Sequence, residues 1–404
     1  MAGTRRELRL RRSGATSARI PAAAQAPFGY RPALDGIRAV AVISVILMHV
    51  FHTPTGGFLG VDLFFVLSGY LITTLLLREW ERDGRISLRG FYRRRALRLL
   101  PALFVVVAAY LMASIAVLIA RNALTWQVFG PRFVGAVSGA LYFSNILQAW
   151  HSLSPEAIRH LWSLAAEEQF YLLWPPALLV LLKARVSRKW ISRILFAALA
   201  LVVVHRLQLT IAGANQHRLY FAPDTTADAI LIGCLAALWT AAGGVPAIIR
   251  TPRRRAILSI TAWAVIAWMI VFTTGAIQRS LYEGELTVFA AAGALVVVLA
   301  SADERGFVTR ILSLRPMVYT GRISYGLYLW HPVVFVAVGL RPVYAVVLTF
   351  AAASASYRYV ELPFLRKKRP VSPSLPIPAP MTATPVLMGA VSSESAAAMQ
   401  PAET

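Results

Sequence analysis

Three groups that can do chemistry lie inside one apolar stretch, LDGIRAVAVISVILMHVF, over residues 34–51: Asp35, Arg38 and His49. Arg38 and His49 are eleven positions apart. On a helix that is about 1100°, roughly 20° past three full turns, so the two share a face about 16 Å apart. A fixed cation at one end and an imidazole at the other suit an anionic ligand whose reactive end lies near a general base. A second apolar stretch opens HLWSLAAEEQFYLLWPP at residue 160. Spacing of three and four residues puts His160, Ser163, Glu167 and Tyr171 on one face, and the adjacent Glu168 cannot share it. A carboxylate at Glu167 and an imidazole at His49, at similar depth, form a pair in which the carboxylate orients the base. Their bland alternatives are headgroup contact by Arg38, a packed His49 and a helix-entry role for Glu167.

Further polar residues fall within apolar runs. GVDLFFVLSGYLI carries Asp62 at its start and Ser68-Gly69 inside, readable as a cap and a close helix contact, or as site groups. APDTTADAILIG holds Asp224 and Asp228 one turn apart. SYGLYLWHP sets His331 among Tyr325, Tyr328 and Trp330. His205 and His217 have no companions at useful spacing and read as structural. Eight arginines lie between residues 78 and 98. Such a cluster fixes orientation and binds anionic lipid. Arg94, Arg95 and Arg98, at the entry to the next helix, equally suit a phosphorylated cytosolic ligand.

The elements that must position these groups follow from composition. The 404 residues are 57% hydrophobic and 15% charged, against about 45–50% and 25% in soluble domains. That excludes an ordinary soluble enzyme and a disordered chain. A net charge of +23 would suggest nucleic acid in a soluble protein. Here Lys and Arg occur in short clusters between apolar runs, the pattern of cytoplasmic membrane loops, and no nucleic-acid partner is expected. Cys234 is the only cysteine, so neither an intrachain disulfide nor a cysteine metal site is possible, and no metal is expected. The first apolar run carries charges and no small-residue cleavage site follows it, which favours a retained anchor over a removable signal.

Windows of about 20 apolar residues begin near residues 33, 60, 98, 133, 161, 190, 224, 256, 285, 317 and 342. With 133–149 not crossing and the N-terminus inside, 31 of the 41 Lys and Arg are cytoplasmic and six external; with it crossing, the split is 19 against 18. The expectation is therefore an all-α, polytopic integral membrane bundle of about ten transmembrane helices. Segment 133–149 is an additional non-crossing or re-entrant element, consistent with Gly130-Pro131, Gly135, Ser138, Gly139 and Asn145. Both termini are placed in the cytoplasm of a plasma-membrane (inner-membrane) protein. Residues 1–30 read as a basic disordered N-terminus, 31–365 as the membrane domain and 366–404 as a disordered Pro/Ser/Ala-rich tail. No internal repeat is evident, which counts against inverted-repeat transporters.

Seven stretches occur in an order that resembles acyltransferase family 3, the polytopic membrane O-acyltransferases of bacterial surface sugars and some macrolides. They are LDGIRAVAVISVILMH, GVDLFFVLSGYLI, RRALRLLP, SNILQAW, HLWSLAAEEQFYLLWP, GRISYGLYLWHP and VELPF, and they cover roughly residues 30–365. The resemblance implies a ten-span core that moves an acyl group, commonly acetyl, from cytosolic acyl-CoA to a hydroxyl. It implies critical roles for Arg38, His49 and Glu167, and places Arg94, Arg95 and Arg98 to take CoA phosphates. The chain departs from the family at DTTADAILIG, where Thr226 stands for a usual charged residue, and at Tyr70, usually phenylalanine. It shows no C-terminal hydrolase-like domain of the kind some members carry, so an intrinsic or partner-made hand-off is expected.

The resulting expectation is a membrane O-acyltransferase. His49 and Glu167 are the catalytic candidates, and Arg38, Arg94, Arg95 and Arg98 the donor-binding ones. Asp35, Asp62, Ser68, His160, Trp162, Ser163, Tyr171, Tyr328 and His331 are the supporting residues. Acyl-CoA, most simply acetyl-CoA, is a co-substrate, with no permanently bound cofactor. The acceptor is a glycan, glycolipid or macrolide hydroxyl. Direct transfer and an acyl-histidine intermediate both fit. The competing class is a transporter or flippase for an anionic or lipid-linked solute.

Overall fold

The structure, a computed structural model, describes residues 30–151, 155–241, 251–276, 278–303, 306–338 and 341–367. The two expected tails lie outside this range except for residues 30, 366 and 367. Every regular element described is helical: α1 (Pro32–Phe51), α2 (Gly60–Asp83), α3 (Leu88–Ala120), α4 (Trp126–Ala140), α5 (Ser144–His151), α6 (Glu156–Arg159), α7 (Leu161–Lys183), α8 (Arg188–Ile211) and α9 (Gln216–Phe221). There follow α10 (Pro223–Thr226), α11 (Asp228–Ala241), α12 (Pro252–Phe272), α13 (Leu286–Ala302), α14 (Phe307–Leu312), α15 (Arg315–Arg322), α16 (Ser324–Val338), α17 (Pro342–Ala355) and α18 (Leu362–Arg366). Single π turns at Leu281–Glu285 and Ser356–Glu361 lead into α13 and α18.

Among the described residues, seven helical stretches are long and apolar enough to cross a membrane: Pro32–Phe51, Gly57–Asp83, Leu88–Ala120, Arg188–Ile211, Pro252–Phe272, Leu281–Ala302 and Pro342–Arg366. The chain is thus a multi-pass, all-helical membrane protein, with a narrower set of unambiguous spans than the ten expected. The other three windows fall on helices that depart from a plain apolar rod. The α7 helix has the length but carries Glu167, Glu168 and a Pro175-Pro176 pair. The α11 helix has 14 residues. The window near 317 is divided between α15 and α16 at Ile323. Segment 133–149 is broken as well: α4 and α5, with 15 and 8 residues, meet at a turn where Tyr142 adopts φ 58°.

Helix α2 is central and lies against α11, α1 and α13. Its contact with α11 is backbone to backbone. A Cβ on Gly69 would stand 2.1 Å from the Ile230 carbonyl oxygen, and one on Gly233 2.2 Å from that of Val66. Small residues permit this approach where lipid offers no hydrophobic drive for association. Helix α1 runs between α2 and the α15–α16 pair. A second apolar cluster joins Leu103 and Val106 of α3 to Ala136, Ile158, Leu161 and Leu329, and so seats α4, α6 and α16 against α3. The outer faces of α8 and α12 present Leu201, Ile260 and Trp268 outward, as lipid-facing helices do.

Candidate active site

The N-terminal end of α1 carries a fixed cation. Arg38 lies 3.0 Å from the buried Asp35 carboxylate, which also accepts from the Tyr30 hydroxyl at 2.7 Å, and Arg322 of α15 donates to that hydroxyl at 3.0 Å. Asp35 thus anchors Arg38 without fully covering it, and the guanidinium keeps part of its surface accessible. From α3, Arg98 stands within electrostatic reach of Arg38, Arg95 and Glu361, is exposed, and makes no ion pair among the described residues. Its two companions in the sequence are engaged. Arg94 pairs with Glu79 at 3.7 Å, and Arg95 donates to Glu168 at 2.7 Å while its guanidinium lies 3.3 Å over the Tyr171 ring.

The C-terminal part of α1 brings His49 into a cluster of imidazoles. Its Nδ1 is 2.9 Å from the Val45 carbonyl oxygen. A carbonyl only accepts, so Nδ1 carries a proton, and in the neutral ring Nε2 carries the lone pair. His331 of α16 is held the same way by the Tyr328 carbonyl at 2.8 Å, and is fully buried. The His49 and His331 ring centroids are 5.1 Å apart, those of His331 and His160 5.4 Å, and those of His160 and Tyr328 5.3 Å. The Tyr328 hydroxyl lies 2.6 Å from that of Ser163 and 2.9 Å from the His160 carbonyl. Nε2 of His331 has no hydrogen-bond partner among the described residues. Buried polar atoms without partners are rare enough to need a reason, and serving a hydroxyl-bearing ligand is one.

Glu167 lies on α7. The Ser68 and Tyr171 hydroxyls both donate to its Oε1, which fixes the carboxylate between α2 and α7. Glu168 pairs instead with Arg95, whose guanidinium also covers the Tyr171 ring. Glu167 is held by Ser68 and Tyr171, and His49 Nδ1 by the Val45 carbonyl. The structure brings His49, His160, Ser163, Tyr328 and His331 into one cluster, and Ser68, Glu167 and Tyr171 into another.

Asp62 and Trp162 border a third region. Asp62, in the first turn of α2, is partly accessible and has no ion pair among the described residues. Trp162 lies on Tyr220 at 4.9 Å between ring centroids and against Phe221 at 5.2 Å. Behind them is a buried charge cluster that sequence reasoning passed over. Arg206 of α8, 0% exposed, donates to Asp228 at 2.8 Å and to Thr287 at 2.7 Å, and Thr287 donates to the same carboxylate oxygen at 2.7 Å. Arg206 also reaches the Thr225 and Tyr282 carbonyls. Thr226, the departure from the family pattern, donates to the Ala222 carbonyl at 2.9 Å. The signal for Arg206 was present, since an arginine inside a span needs a partner.

Two more placements differ from the sequence reading. His205, taken as lacking a companion, lies 3.1 Å from Asp224, whose carboxylate also binds Arg218 at 2.8 Å. Gln169 and Asn145 exchange amide hydrogen bonds at 2.9 and 3.1 Å, so α5 is tied to α7 by the SNILQAW stretch, for which no role was read. Glu361 of the VELPF stretch is buried, faces Arg98, and has one carboxylate oxygen without a described partner.

Comparison with known proteins adds a family. The profile of a family described as an acyltransferase domain matches residues 31–355. The peptidoglycan O-acetyltransferase OatA of Listeria monocytogenes is 35% identical over 360 residues, covering 83% of this chain and 56% of that protein. The O-acetyltransferase OatA of Staphylococcus aureus is 35% identical over 363 residues, covering 84% of this chain and 58% of that protein. The chain therefore spans a little more than half the length of these relatives. No solved structure matches it.

Proposed function

This chain belongs to the acyltransferase-domain family, and on that premise we propose that it moves an acetyl group from cytosolic acetyl-CoA to a hydroxyl of a cell-envelope glycan. Peptidoglycan is the favoured acceptor, because similar proteins bear that substrate in their names. In this reading the chain works in the plasma membrane with both termini cytoplasmic, and acyl-CoA is a co-substrate and not a resident cofactor.

The observation that carries the reading is the ordering along α1. Arg38, accessible and beside Arg98, stands at one end, and His49, with Nε2 carrying the lone pair, stands at the other. The two arginines take the phosphates of CoA, and the pantetheine arm runs along α1 toward His49. His49 Nε2 removes the proton from the acceptor hydroxyl as its oxygen attacks the thioester carbonyl. The tetrahedral intermediate then collapses, the carbon–sulfur bond breaks, and the imidazolium returns its proton to the departing thiolate. Ester and CoA thiol are the products. Glu167, fixed by Ser68 and Tyr171, places a negative charge inside the bundle that favours the imidazolium. His160, Tyr328 and Ser163 offer the acceptor hydrogen-bonding groups, and Asp62 and Trp162 border its path.

The test is acetyl-CoA turnover by the purified, detergent-solubilised chain, read as free thiol, with and without a soluble glycan fragment. Acceptor-dependent release that disappears in His49→Ala supports the proposal. Full release by correctly inserted His49→Ala overturns the assigned base, and failure of acetyl-CoA to bind returns the transporter reading.

A further inference from the structure

A groove of about 760 Å³ lies between α8, α11 and α13, away from the site described above. Its floor is small and apolar, from Ala236, Ala291 and Ala294, and Trp239 forms one wall. Its mouth is basic, formed by Arg188, Lys189 and Arg193 on the first turns of α8, and no carboxylate lines it. Arg188 is already used, donating to the Ala241 carbonyl at 2.8 Å and pairing with Glu81. Lys189 and Arg193 are exposed and have no ion pair among the described residues; the Arg193 guanidinium rests 4.6 Å over Trp190.

The groove runs from the first turns of α8, at the Lys/Arg-rich connection 183–193, along residues 232–239 of α11 to the middle of α13 at 291–298. Its charged mouth therefore lies on the Lys/Arg-rich side and its apolar part reaches toward mid-membrane. Two uncompensated cations above an apolar trough match one kind of molecule: a phosphate headgroup for Lys189 and Arg193, with hydrocarbon below it. A zwitterionic headgroup would bring its own cation into an already positive mouth. We propose that this groove is a specific site for an anionic diacyl phospholipid of the leaflet on the Lys/Arg-rich side. The headgroup phosphate sits on Lys189 and Arg193, and an acyl chain lies along Ala291 and Ala294 beside Trp239. The proposal is independent of the transfer chemistry.

Trp239 supplies the readout. The purified full chain is titrated with phosphatidylglycerol or phosphatidylcholine, each brominated on one acyl chain, and tryptophan quenching is followed. Phosphatidylglycerol is expected to quench at lower concentration, and the difference is expected to vanish in Trp239→Phe. Removing both cations in Lys189→Gln/Arg193→Gln should raise the half-quenching concentration for phosphatidylglycerol roughly thirtyfold, at about five- to sixfold per cation. Because these side chains are exposed, the fold should persist; Ala294→Leu, which fills the floor, gives an independent loss of quenching. Equal quenching by the two lipids, or a preference that survives the double variant, would overturn the proposal.

Discussion

His49 and His331 meet edge to face with ring centroids 5.1 Å apart, each holding its Nδ1 proton on a carbonyl of its own helix. The two rings are otherwise unlike, because His331 is fully buried and His49 keeps an accessible edge. Truncation should separate them. His49→Ala is expected to lower acetyl-CoA turnover about 10²–10⁴-fold, the range of a positioned general base, with little change in thermal unfolding. His331→Ala empties a packed position and should lower the unfolding temperature as well. Free-thiol kinetics and a melting curve on both variants check this.

Glu167 receives two hydroxyls on one oxygen, Ser68 from α2 and Tyr171 from its own helix. Hydrogen bonds to a charged group are worth about 1.5–3 kcal/mol. Ser68→Ala and Tyr171→Phe should each lower kcat about tenfold or more through loss of carboxylate orientation. Because they serve the same oxygen, the double variant should fall short of the product of the singles. Glu167→Gln should lower kcat at least as far as either. Multiplicative effects would mean the two hydroxyls act on separate groups.

Arg95 and Arg98 of RRALR have different surroundings and should fail differently. Arg98→Gln removes an exposed cation beside Arg38 and is expected to raise the KM for acetyl-CoA roughly ten- to a hundredfold without lowering stability. Arg95→Gln strands the Glu168 carboxylate, 19% exposed, and uncovers the Tyr171 ring, so its main effect should be on the unfolding temperature. A KM effect from Arg95→Gln equal to that of Arg98→Gln would place both on the donor.

Much of this arrangement was legible in the chain because intramembrane charge is costly and therefore informative. The Arg38–His49 spacing put both residues on one face, and the adjacent Glu167 and Glu168 take different partners, Ser68 and Tyr171 for the first and Arg95 for the second. Which ring would neighbour His49 was not legible. His331 lies 282 residues along the chain, and its approach depends on α1 running beside α15 and α16, set by backbone contacts that leave no periodic signal. The same limit hid Arg206, whose partners come from α11 and α13, and the Gln169–Asn145 pair. Span counting was weakest at α7, α11 and α15–α16, where site residues, prolines and a break interrupt the apolar pattern on which hydropathy depends.

The buried pair of Arg206 and Asp228, 0% and 2% exposed at their side chains, gives the strongest stability test. Asp228 accepts from Arg206 and Thr287, and Arg206 also spends donors on two carbonyls, so the cluster is well satisfied. Removing one partner leaves the other charge buried, at a cost of about 3–5 kcal/mol. Asp228→Asn retains the shape but not the charge and should sharply lower the unfolding temperature in detergent. Arg206→Met leaves the Asp228 carboxylate with Thr287 alone and should do the same. The double variant Arg206→Met/Asp228→Asn removes both charges and should recover much of the loss, since neutral replacement of a buried pair is often tolerated. Additive losses in this cycle would mean that each residue is held by its other partners and that the ion pair itself contributes little.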